Sequence, residues 1–137
     1  MSLKIFVFTY IASAVFFLII DFIWLGLIAK GFYQRQIGFL MADKVNWAAA
    51  FLFYGIFVLG TMIFCIYPAV TKQSFWTALG LGVMFGLVTY ATYDLTNLAT
   101  LKDWPIAIVV VDILWGMVLC GAVSGFGYGI TAWISRQ

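Results

Sequence analysis

Asp21, Asp94 and Asp112 each interrupt a long apolar stretch, and no Lys, Arg or His shares those stretches. A carboxyl group within a bilayer is expensive, so an intramembrane acid is by default a candidate functional residue. Three uses fit such acids. They serve as structural glue to Tyr, Thr, Asn and Trp, they bind a cation or cationic headgroup from a wet cavity, or they load and unload protons.

The neighbours of the acids sharpen this reading. Tyr90, Asp94 and Asn97 are spaced i, i+4, i+7 and share one helical face, with Thr89, Tyr93, Thr96 and Thr100 forming an adjoining stripe. A helix this polar is expected in a bundle interior, where hydroxyls and amides find partners. Asp21 with Trp24, and Asp112 with Trp115, repeat an Asp-x-x-Trp spacing that sets carboxyl and indole on one face. Gly26 and Gly116 follow them. In oppositely running helices the two indoles would bracket the acidic layer from above and below, each able to donate its N–H or to hold a cation or acyl chain on its ring. The candidate set for ligand or proton binding is therefore Asp21, Trp24, Tyr90, Tyr93, Asp94, Thr96, Asn97, Asp112 and Trp115.

The elements that must position these residues are membrane helices. The chain has 137 residues, 66% of them hydrophobic and 9% charged, with mean hydropathy +1.12. A soluble surface typically uses about 25% charged residues. Four segments, roughly 5–29, 47–69, 75–99 and 105–133, are long enough to cross about 30 Å of hydrocarbon. The run from Lys4 through Ala12-Ser13-Ala14 resembles a signal peptide, but its apolar stretch continues to Ile28, which predicts an uncleaved first membrane helix. Trp47, Trp76, Trp104 and Trp133 fall at segment ends, as an interfacial aromatic belt requires. Pro105 suits a helix start and Pro68 closes the second segment. The loop 30–46 mixes Lys30, Arg35, Asp43 and Lys44 with apolar residues and predicts a short interfacial helix. The other connections are short, so the expected fold is all-α, a single transmembrane domain built as an up-down four-helix bundle.

In that arrangement Asp21 lies about 13 Å, Asp94 about 8–10 Å and Asp112 about 10 Å inside the same membrane face, at 1.5 Å per residue. One leaflet is expected to hold all three, converging on one pocket. Gly82 with Gly86, and Gly121, Gly125 and Gly129, form small-residue stripes that permit close helix packing within a subunit or in a homo-oligomer. Charge does not set orientation: Lys4, Lys72 and Arg136 oppose Lys30, Arg35, Lys44 and Lys102, which also leaves dual topology open.

Other chemistries find no support. A net charge of +2 without a basic run gives no nucleic-acid footprint. Without His or a CxxC pair no metal site is expected, and Cys65 and Cys120 read as small buried residues. Tyr93-Asp94 with Asp112 faintly resembles the acid pair of intramembrane aspartyl proteases, but Val109-Val110-Val111 stands where those enzymes carry Gly-x-Gly before the acid. There is no P-loop or dinucleotide glycine fingerprint, and no cofactor is identified.

The runs DFIWLG at 21–26, GFYQRQIG at 31–38, NWAAAFLFYGIFVLG at 46–60, TYDLTNLAT at 92–100 and VDILWG at 111–116 resemble the bacterial membrane family known as domain of unknown function 2177. The resemblance covers nearly the whole chain, is most specific at TYDLTN, and implies a four-helix inner-membrane protein. The expected function is binding or transport of a cation, proton or amphiphile in an acidic-aromatic pocket, with membrane lipid as the surrounding partner. The alternatives are a membrane-embedded enzyme of lipid metabolism and a non-catalytic accessory subunit docking through the glycine stripes.

Overall fold

The computed structural model describes residues 1–136, and among them every regular element is helical. Helix α1 spans Leu3–Ile28, α2 Lys30–Ile37, α3 Trp47–Thr71, α4 Phe75–Thr100 and α5 Ile106–Ile134. All but α2 are long and apolar enough to cross a membrane. The expected spans match these bounds to within two residues at each end. Local chemistry sets several of those ends. Ser2, Asn46 and Ser74 cap α1, α3 and α4 by accepting hydrogen bonds from the backbone N–H groups of Ile5, Ala49 and Thr77. Pro105 precedes α5 as its cap rather than opening its first turn. Gln73 and Asp103, with φ of 50° and 56°, provide the left-handed turns that lead from α3 to α4 and from α4 to α5.

Two wide π-turns depart from the regular pattern. Met62–Ile66 lies directly before Pro68, and the helix continues beyond that proline to Thr71 instead of closing there. A proline removes one N–H and crowds the preceding turn; a wide turn just upstream gives it room. The second, Trp24–Ile28, ends α1 with the Ala29 N–H bonded to the Trp24 carbonyl at 2.7 Å. The chain passes straight into α2 at Lys30, the interfacial helix expected of this loop.

Helix α5 is the centre of the bundle. It packs along α4 over most of their length, and also against α1 and the second half of α3. The α4–α5 seam is closed by glycine. A methyl group at Gly82 would strike the Cys120 carbonyl and the Ser124 side chain, and one at Gly86 would strike the backbone of Gly116 and Met117. Gly121 faces Leu79 and Val83, and Gly125 faces Phe75. Four of the five stripe glycines are thus spent inside the chain, and Gly129 alone has open space around it. The aromatic end differs. There α3 packs on α4 mainly through Met62–Thr71, so the earlier turns of α3 stand away from it.

Candidate functional site

Where α3 stands apart, a cavity of about 460 Å³ opens in the leaflet that holds the acids. Helix arithmetic explains its level. Asp21 is seven residues before Ile28, Asp94 six before Thr100 and Asp112 six after Ile106. Each is therefore about 9–11 Å from its helix end. Asp21, shallower than the expected 13 Å, meets the others at one level because α1 ends at its π-turn.

The three acids occupy different environments. Asp21 is 5% exposed and satisfied: Trp115 Nε1 donates to its Oδ1 at 3.1 Å and the Tyr54 hydroxyl to its Oδ2 at 3.0 Å. Asp112 is half-buried and accepts from the Tyr33 hydroxyl, which in turn accepts from Trp24 Nε1 at 3.4 Å. Asp94 is fully buried, and neither of its oxygens has a hydrogen-bond partner. It lies beside Asp112 and the indole of Trp104, whose buried N–H is also unpartnered. The acids thus split into an Asp94–Asp112 pair and a separate Asp21, and no group of three metal-ligating side chains occurs among the described residues.

The two Asp-x-x-Trp units cross. Trp115 of α5 serves the acid of α1, and Trp24 of α1 serves, through Tyr33, the acid of α5. The indoles do not bracket the acids. They stack on each other, with ring centroids 4.5 Å apart and planes 8° from parallel. The reciprocal donation draws the two rings into the same gap between α1 and α5, and Trp24 does not line the cavity.

Asp21, Tyr90, Tyr93, Asp112 and Trp115 line the cavity, and Thr89 joins them. Asp94 sits just behind the wall. Thr96 and Asn97 do not reach it: Thr96 is exposed and Asn97 half-buried. The threonine stripe of α4 turns largely outward. Thr89, Thr92 and Thr100 donate their hydroxyls to the carbonyls of Phe85, Val88 and Thr96 at 2.7, 2.6 and 2.8 Å. A hydroxyl satisfied on its own helix needs no interior partner, which is why the stripe tolerates lipid. Tyr90 keeps its place because Gly116 leaves room for its ring; a methyl group there would overlap it. Gly26 has no comparable neighbour.

Three wall residues escaped the sequence reading. Tyr33 is 8% exposed and roofs the cavity from α2, together with Ile37. Burial, and donation to the Asp112 carboxyl, raise its phenol above the ordinary range. Tyr54 is the acid partner contributed by α3; its signal was the one hydroxyl in the apolar run 48–60. Trp104 is only 8% exposed, and packs edge-on to Tyr93 with centroids 6.0 Å apart. It is a wall of the site rather than a belt residue, unlike Trp47, Trp76 and Trp133, which are at least half exposed.

The rim includes the exposed residues Leu25, Phe53 and Tyr93, from α1, α3 and α4. The cavity therefore presents acids inside, aromatic walls around them and an apolar mouth toward the lipid. Comparison with curated proteins and with solved structures finds no match. The profile of a family described as "Predicted membrane protein (DUF2177)" matches residues 6–129. With four membrane-spanning helices and a match over nearly its whole length, the chain belongs to the DUF2177 family of predicted membrane proteins.

Proposed function

We propose that the cavity is a binding site for a cationic amphiphile that enters from the surrounding leaflet. The observation that carries this reading is a pair of carboxyl-bearing walls, Asp21 and Asp112, in an aromatic cavity of about 460 Å³ that no basic side chain lines. Lys30, Arg35, Lys44 and Lys102, the cations on this side of the membrane, are all exposed. A cationic head would supply the missing counter-charge beside Asp112, with Tyr90, Tyr93 and Trp115 offering ring faces. Its apolar tail would leave between Phe53 and Tyr93. The volume falls within the usual range for small-molecule sites, about 300–1,000 Å³. The bilayer in question is proposed to be the bacterial inner membrane, the setting that the family resemblance implies.

The test is equilibrium binding of tetraphenylphosphonium to the purified protein in detergent. Asp112→Asn is expected to weaken binding about 10- to 100-fold, the worth of one charge-assisted contact. Asp43→Asn, on an exposed loop, is the control. Equal affinity in wild type and Asp112→Asn would reject the proposal. Uptake of the same cation into proteoliposomes then separates transport from binding alone.

A further inference from the structure

Asp94 has no role in the binding reading above, yet it is the most anomalous side chain in the molecule. It is 0% exposed, neither oxygen makes a well-formed hydrogen bond, and it lies next to a second carboxyl, Asp112, and near the Trp104 indole. Trp104 Nε1, buried in the cavity wall beside it, is equally without a partner. Two adjacent carboxylates in a low-dielectric site cannot both stay charged without a cation. The groups around the pair offer none. Tyr33 faces it from α2, Tyr93 from α4 and Trp104 from the α4–α5 turn, and Asp21 on α1 adds a further acid. Lys102 and Asp103 of that turn are exposed and do not line the cavity.

We propose that Asp94 and Asp112 form a proton–cation exchange pair, holding one proton between them without ligand and releasing it when a cation binds. The inference rests on the binding reading and adds its coupling. In the unliganded state the pair carries one proton and one negative charge. The entering cation settles against Asp112, the member that lines the cavity, and offsets a second negative charge. The shared proton is released to bulk water at the nearby membrane face. Charge balances: one positive charge enters, one proton departs, and both carboxyls end ionised. Asp94 stays behind the wall throughout, so it acts on the ligand only through Asp112.

The experiment is calorimetric titration of wild-type protein with tetraphenylphosphonium, at one pH, in two buffers of different ionisation enthalpy. About one proton is expected to be released per cation bound, and apparent affinity is expected to rise up to about tenfold per pH unit. Asp94→Asn is expected to bind the cation with proton release lost. Binding by wild type without release, or undiminished release by Asp94→Asn, overturns this inference and leaves the binding site standing. Absence of any binding overturns both. Should Asp94→Asn fail to fold, infrared difference spectra of the wild type decide alone: cation addition must bleach a protonated-carboxyl C=O band, and an unchanged band overturns the exchange.

Discussion

At one end of the bundle, α1 and α5 meet through Thr9 and Thr131, whose hydroxyls lie 3.0 Å apart and are fully buried. At the other end the same two helices meet through Asp21 and Trp115. Nearby in the first region Gly82 lets the α4 backbone approach Ser124 of α5. In the second, Tyr90, Trp115 and Trp104 hold the helices apart. Glycines and the Thr9–Thr131 hydroxyl pair let the helices close to short range there. Asp21 and Asp112 accept instead from the long aromatic donors Trp115, Tyr54 and Tyr33, and a cavity lies among them. The two halves teach that one bundle can close through small residues at one end and enclose a cavity among large ones at the other.

That contrast can be broken most severely in the tight half. Gly86→Val puts side-chain atoms into the Gly116 backbone, which has no flexible end to yield. A loss of stability of about 3 kcal/mol or more is expected, read as failure to recover folded monomer or a large drop in thermal midpoint. In the open half, Gly116→Ala is expected to displace the Tyr90 ring and reduce tetraphenylphosphonium affinity several-fold, with a stability loss of about 1–3 kcal/mol. Trp115→Phe removes the indole donor to Asp21 while keeping an aromatic ring. It should cost about 1.5–3 kcal/mol if Asp21 is ionised and about 1 if it is neutral, so the measured loss reports the charge of that acid. Thr9→Val tests the opposite end and should cost about 0.5–1.5 kcal/mol without altering cation affinity. The smallest effect concerns pH. Tyr33 has a folded-state phenol above its unfolded value, so its contribution is complete below about pH 10 and is lost as pH climbs through the folded value. Thermal stability should therefore be flat from this residue through neutral pH and fall in strong alkali, and Tyr33→Phe should lessen that fall.

Much of the architecture was legible because bilayer thickness leaves so few choices. Apolar length and the short turns at 72–74 and 101–105 sufficed to bound four spans. The common level of the acids followed from rise per residue alone. Rotation about each helix axis was not legible. Thr96 sits one turn from Tyr93 yet is exposed, and Thr92 and Thr100 beside it return their hydroxyl bonds to their own helix. Spacing marked Trp24 and Trp115 as neighbours of the acids on their own helices, but each serves the acid of the other helix, which depends on how α1 and α5 pack. Tyr33 and Trp104 enter the site through connecting segments, where no periodicity points the way.

The crossed acid–indole bonds have a biosynthetic consequence. The acid on α1 accepts its indole bond from a residue 94 positions later in the chain. The leading helix must therefore enter the membrane with its carboxyl unclaimed by that indole, and wait until the final segment has been threaded. A chain cut before α5 would leave the Asp21 carboxyl with the Tyr54 hydroxyl alone as its side-chain donor.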